Sequence, residues 1–589
     1  MKMFKLQLNK SPLKYFLILL VFQLLFCGAQ AQTKTFDVCI FGANPNDTTD
    51  DAPAINAAIK EANGWIKNSD EKRAIIFFPA SANGNYLLKT YTEKPSEYLN
   101  NYIFPVASNL SFIGDNKNTV IIKIANNIFN RRDQKGEKRN ANVFYGKNVS
   151  NVSFSNLTID MNGVSNLTIS DNPGTKKDRI QAMLAIKIEG DASSHNLNFE
   201  NLIIKNNPGH NDIGIYGNGT GVSIINSVFK NGGWNIGSPS ISNKNNLDFS
   251  FLYSEWDNSL FQNDSLIQEY PDVALQWFNG GIEVHGSNSQ VLNSFISGCN
   301  PAIYICSERH NTLIYQMENI SVKNTQLLQC ANGIQFWVVN QIKNVVIESN
   351  KIELRSPVGA NFFKNQNEYN PTGIYVANGN RPNYENYKRA FEYGKELNAN
   401  SDTLKNIIIR LNVIQSVVPD TTHFIMTTGI RVHSLYKSII DSNQISGMNY
   451  AGIQLQGSAW GMCDVVFLNN TISNFKPNYN TATVTGYFVV TDTYKPNSDA
   501  VRQKETFKGI TIKNNTLNSG NADAASAKNC GLPDKKFACF KAMFFALPKW
   551  YAYSNNAAPY KMKPSIFSIN NNVITNNTAH EDFVFVVQN

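Results

Sequence analysis

The sequence predicts a right-handed parallel β-helix: an all-β solenoid with an N-terminal capping helix and long inserted loops. Three observations carry this expectation. First, a pattern of strand, polar corner and strand recurs along the chain, as in "VSFSNLTI", "LNFENLII", "ISVKNTQL", "VVIESNKI", "SIIDSNQI" and "FSINNNVI". Second, a shorter strand returns between these copies, as "GIYG", "GIEVHG", "AIYIC", "GIQFWV", "GIYVAN", "GIRVHS" and "GIQLQG". Its first isoleucines, Ile282, Ile303, Ile334, Ile374, Ile430 and Ile453, lie from about 21 to over 50 residues apart. The short spacing fits one coil of a solenoid whose strands stack about 4.8 Å apart, and the long ones fit loops inserted between coils. Third, asparagine returns at one corner position, at Asn350, Asn412, Asn443, Asn470, Asn515 and Asn572. Asparagine tolerates left-handed backbone and its amide can bond the copy above or below, so this column reads as an asparagine ladder.

The elements follow in order. Lys2, Lys5, Lys10 and Lys14 precede the apolar run "YFLILLVFQLLF", and Ala29 and Ala31 form an A-x-A site. Residues 1–31 are therefore expected to be a cleaved signal peptide, giving a secreted or periplasmic protein that begins at Gln32. Cys27 follows the bulky Phe26, which argues against a lipid anchor, and no later run is long and apolar enough to span a bilayer. Residues 32–589 read as one domain, with a cap over about 36–66 and coils over about 75–589. Within the cap, Thr49, Asp50 or Asp51 can cap the helix implied by "APAINAAIKEAN". Insertions fall at roughly 240–278, 355–372, 378–402 and 520–540, and in repeat architectures such loops often build the binding face.

Composition narrows the partners. With 42% hydrophobic and 17% charged residues the chain can bury a large core. The net charge of +8 comes without a basic run or zinc-type cysteine spacing, which argues against nucleic acid. Of eight cysteines, Cys27 lies in the leader, so an odd number remains in an oxidising compartment and at least one is left unpaired. Cys530 and Cys539, flanking "GLPDKKFA", are the expected disulfide. Cys299 and Cys330 occupy equivalent places after "FISG" and "QLLQ" and are expected to pack as buried thiols. A monomer is expected.

In "GGIEVHGS", strand alternation turns Ile282 and Val284 to one side and Glu283 and His285 to the other. Reading the outward positions coil by coil gives Asp212 and Tyr216, Asn235, Glu283 and His285, Tyr304, Gln335 and Trp337, Tyr375, Arg431 and His433, then Gln454 and Gln456. Aromatic rings beside hydrogen-bonding groups suit sugar rings, so this column is expected to form a glycan groove. Hydrolysis needs two carboxyl groups, for which Glu283 with Asp212 or Glu308 are the candidates. Asp212 is expected about two coils from Glu283, roughly 10 Å, and Glu308 about one. Elimination beside a uronate needs a neutralising cation, Arg431, and a base among His433, His285 and Tyr304. Arg431 is about four coils from Glu283, on the order of 19 Å, so the two constellations are separate centres. Glycan binding without turnover is a further alternative.

The opening pieces "FGA", "DTTDD" and "AINAAI" resemble those of pectate-lyase-superfamily and polygalacturonase-like β-helix proteins, and with the coil pattern the resemblance covers most of residues 36–589. It implies a β-helix acting on carbohydrate polymers: a hydrolase first, with a lyase or uronate epimerase as the alternative. It implies no obligatory cofactor, and Ca2+ if the protein is a lyase. In "GHNDIGI", Asp212 stands where polygalacturonases carry the first aspartate of an Asn-Thr-Asp-Gly motif. The next stretch reads "NGGWNIGS" in place of their paired aspartates.

Overall fold

The computed structural model describes residues 32–67, 71–92, 101–126, 128, 141–162, 166, 184–190, 194–207, 211–217, 219–230, 234–236, 275–277, 280–299, 301–307, 317–330, 332–338, 342–354, 371–378, 404–417, 427–433, 435–457, 462–475, 485–492, 507–517, 540–548, 573–575 and 583–588. The chain winds through three sheets, giving one strand to each per coil. Sheet A runs from Gln32–Asp37 to Val573–Thr575, sheet B from Tyr86–Leu88 to Thr516–Leu517, and sheet C from Tyr102–Val106 to Phe583–Gln588. Their ladders are parallel and coil follows coil in chain order, which makes a right-handed parallel β-helix, with one α-helix among the described residues. The first sequence repeat supplies sheets A and B: "VSFSNLTI" divides into Ser150–Ser155 and Thr158–Asp160. The second repeat is sheet C.

Stacking in register turns each repeat position into a column. Phe144, Ile186, Ile213, Ile282, Ile303, Ile334, Ile374, Ile430, Ile453 and Phe488 pair rung by rung down sheet C, and all are fully buried. Branched side chains fit such a pleated surface because each packs on its own kind above and below. Sheet A adds Phe112, Phe154 and Phe199, stacked with centroids 4.8 and 5.6 Å apart.

The helix α1 (Ala52–Ile66) buries Ala52, Ile55, Ala58, Ile59 and Ala62 on one face against the same core. Asp51 holds the N-cap position but makes no side-chain cap bond. Its carboxylate accepts instead from the Asn44 and Leu87 N–H groups, at 2.7 and 2.8 Å. Asp50 accepts from the Ala52 and Lys89 N–H groups, at 3.1 and 2.9 Å. The acidic turn thus ties the helix entrance to the first coil.

The asparagine ladder is present. Asn350, Asn412, Asn443 and Asn470 each donate from Nδ2 to Oδ1 of the next, ending on Asn515, at 2.9 Å per link. Each Oδ1 also accepts the preceding ladder residue's N–H, and every member is buried. The expected reason needs one correction. The left-handed residues are the ones just before the ladder, Ser349, Leu411, Ser442, Asn469 and Asn514. Asparagine serves here as a two-sided hydrogen-bonding group, and its neighbour makes the corner. Towards the N-terminus the Thr325 N–H donates to Asn350 Oδ1, and further on hydroxyls take over: the Ser227 N–H donates to Ser294 Oγ and the Leu202 N–H to Ser227 Oγ.

Cys299 and Cys330 are buried free thiols at equivalent positions, and burial pushes Cys330 up to about 12. Asn572, Cys530, Cys539 and residues 1–31 lie outside the described residues.

Asn443→Ala leaves the amide and carbonyl partners on both neighbouring coils unmet, and should cost on the order of 2–4 kcal/mol in chemical denaturation. Asn344→Gly, in an exposed second ladder where Asn344 Nδ2 donates to Asn319 Oδ1 at 3.1 Å, should cost under about 1 kcal/mol, because water replaces the partner and glycine keeps the left-handed backbone (φ 59°) without strain.

Candidate functional site

The outer face of sheet C carries a column set by the ladder: Lys187, Gly214, Glu283, Tyr304, Gln335, Tyr375, Arg431 and Gln454. Glu283 and His285 do share a face, and they touch. Glu283 Oε1 is 2.8 Å from His285 Nε2, and Oε2 accepts from Asn211 Nδ2. Glu283 is 6% exposed and His285 1%. Two such groups are tolerated at that depth because each carboxylate oxygen has a donor. With Glu283 ionised, the proton on Nε2 is held and the imidazole tautomer is fixed.

The network continues beyond the pair. Asn211 Nδ2 also donates to Tyr216 Oη at 3.0 Å, and the Tyr216 ring meets the His285 ring edge-on, centroids 5.2 Å apart. Gly214 makes room for this, since a Cβ there would come within 2.5 Å of Tyr216 Cε2. Lys187 Nζ lies 5.6 Å from the Tyr216 centroid and 5.8 Å from that of Tyr145. The same ammonium is 2.5 Å from Glu189 Oε1, while Glu189 Oε2 accepts from Tyr145 Oη at 3.0 Å. An ammonium, two phenols, an amide, two carboxylates and an imidazole are thereby joined across four neighbouring rungs. Such a set can neutralise a bound anion and pass a proton.

The structure redistributes the expected residues. Asp212 is not in the groove: it is fully buried inside the coil, one place before the first isoleucine. Other coils put Val143, Ala185, Gly281, Ala302, Gly333, Gly373 and Gly429 there. The position is small because it points at sheet B; a Cβ at Gly373 or Gly429 would come within 2.5 Å of Ile414 or Ile445. Strand alternation fails at this corner, where two successive residues face inward. Neither Asp212 oxygen has a hydrogen-bond partner among the described residues. Desolvation raises the carboxyl well above the ordinary range, and nearby Asn207 offsets only part of that. Burial thus favours the neutral acid.

Asn235 also leaves the column. Trp234–Ile236 pairs antiparallel with Leu275–Trp277 in a separate two-stranded sheet, so the strand of Asp212 is one rung from that of Glu283 rather than two. Tyr304, Gln335, Tyr375, Arg431 and Gln454 stand in one column as expected, with Arg431 four rungs from Glu283. Glu308 and the side chains of Trp337, His433 and Gln456 lie outside the described residues. The sequence reading passed over Tyr145, Lys187, Glu189 and Asn211. "AIKIEG" at 185–190 has the pattern of "GIEVHG", and aligning Ile186 with Ile282 would have found Lys187 and Glu189.

Residues 35–266 match the family model described as "Rhamnogalacturonase A/epimerase, pectate lyase-like". The resemblance carried by the opening motif therefore holds. No curated protein matches the chain. Among solved structures, the chain is similar to the A-module of the Azotobacter vinelandii mannuronan C-5 epimerase AlgE6, at 12% identity over 82% of this chain and 94% of that one, TM-score 0.45. It is similar to the catalytic unit of a GH87 α-1,3-glucanase from Streptomyces thermodiastaticus strain HF3-3, at 10% identity over 94% and 68%, TM-score 0.44. It is also similar to the tailspike protein of E. coli bacteriophage HK620 in complex with a pentasaccharide, at 11% identity over 87% and 71%, TM-score 0.47.

Asp212 gives a pH signature. The folded carboxyl is raised, so above about pH 4 the unfolded chain loses a proton that the native state keeps. Its contribution is complete below that pH and falls by about 1.4 kcal/mol per pH unit as pH rises towards the folded pKa. Asp212→Asn should therefore match the wild-type pH dependence of denaturation below about pH 4 and gain stability over it from there to neutrality. A gap independent of pH would mean that the carboxyl is not held neutral.

Proposed function

We propose that this pectate lyase-like β-helix is a polysaccharide-modifying enzyme whose chemistry runs on the outer face of sheet C, at Glu283, His285 and Tyr216. The observation that carries the reading is the hydrogen-bonded cluster of Glu283, His285, Asn211 and Tyr216 with Lys187 beside it. Proton abstraction beside a uronate carboxylate asks for this set: a cation near the carboxylate, and a base and an acid near the carbon. Lys187 supplies the charge, Tyr216 or the Glu283-supported His285 moves the proton, and Asn211 holds Glu283 and Tyr216 in line. The family description, which names an epimerase beside a rhamnogalacturonase, supports this reading. Elimination and epimerisation share that first step and differ in whether the leaving oxygen departs or the proton returns.

Hydrolysis is the second reading. It rests on the sequence, in which Glu308 directly follows Ile303–Ser307, the strand whose Tyr304 pairs with Glu283. Glu283 would be its acid and Glu308 its partner. The interior placement of Asp212 weakens the other hydrolytic pair.

The test is a panel of uronate and neutral polysaccharides with the protein from Gln32 onward and with Glu283→Gln, run in deuterated water. Ultraviolet-absorbing unsaturated ends report elimination. Deuterium uptake at intact chain length reports epimerisation, and reducing ends without absorbance report hydrolysis. The expected result is one of the first two, lowered by about a hundredfold or more in the variant. Reducing ends alone would replace the reading with the second, and binding of polymer with no product would make the protein a glycan-binding β-helix.

A further inference from the structure

The same face carries a second built cluster, remote from the first. The Arg431 guanidinium lies 5.0 Å from the centroid of the Tyr375 ring, one rung away. On the other side, Gln454 is 6% exposed and donates from Nε2 to Tyr450 Oη at 3.3 Å. Arg431 is also close enough to Tyr450 to oppose the rise that burial imposes on that phenol. A guanidinium over an aromatic face is held by the ring quadrupole, and its forked donors are pre-organised for a carboxylate with little loss of entropy.

Glu283, Tyr304, Gln335, Tyr375 and Arg431 are consecutive rungs of one ladder. Four rungs amount to about 19 Å, too far for one sugar ring to reach both ends. We propose that Arg431, with Tyr375 and Gln454, forms a subsite for the carboxylate of an anionic sugar about four to five units along the same chain from the sugar at Glu283 and His285. The protein then acts inside long uronate chains and handles short oligomers poorly. This rests on the catalytic groove proposed above and adds the length and charge of what it holds.

The test is calorimetric binding of uronate oligomers from dimer to octamer, in a Glu283→Gln background, with and without Arg431→Ala. Affinity should step up by about tenfold or more once an oligomer spans both clusters, and Arg431→Ala should remove the step while leaving dimers and trimers unchanged. Carboxyl-reduced octamers should show no step. Gln454→Ala is the second variant should Arg431→Ala lower the melting temperature, and it should shrink the same step. Loss at all lengths alike, or at none, while wild type still turns over polymer, overturns the subsite and leaves the proposed function standing. No binding at any length and no turnover overturns both.

Discussion

The whole molecule depends on one constraint: parallel strands held in register at the spacing of a single backbone hydrogen bond. Each coil must lay its strand on the last, so a residue's place in the repeat fixes its column and its rank fixes its height. Apolar columns then fill the interior, and polar ones either chain together or face water. The buried asparagines show how strict this is. Each amide has one neighbour above and one below, so one missing member would strand groups on two coils.

The functional face inherits its geometry from the same stacking. Glu283 lies on the strand Gly280–Val284 and His285 just past its end, which brings their side chains together on one side. Asn211 and Tyr216 come from the rung below, and Lys187 from the rung below that. Rigid strands rather than loops aim these groups, so their separations are set by backbone hydrogen bonds. Gly214 is the local concession, a missing side chain that admits the tyrosine ring.

Two carboxyl groups one rung apart illustrate how environment assigns a role. Glu283 has a donor for each oxygen and faces outward from sheet C, although it is only 6% exposed. Asp212 lies in the interior beside a buried thiol, Cys299, and desolvation drives its pKa up. One can serve as a carboxylate. The other is a neutral acid in the core and works against stability at neutral pH.

Much of the architecture was legible because its signals are local and repeated. Hydrophobic alternation, corner residues and the recurrent isoleucine predicted the strands, the order of the coils, the ladder from Asn350 to Asn515, and the column from Glu283 to Gln454. The sequence by itself could not say that alternation breaks where sheet B turns into sheet C, and so it turned Asp212 outward. Nor could it tell that Trp234–Ile236 pairs outside the three sheets, which changed the rung count around Glu283. Both depend on what the chain meets at a corner, which no local period encodes. The sequence determined which residues could stack. The tertiary structure alone decided which of them met, because contacts across rungs join residues tens of positions apart, whose pairing depends on where each insertion leaves and re-enters the coil.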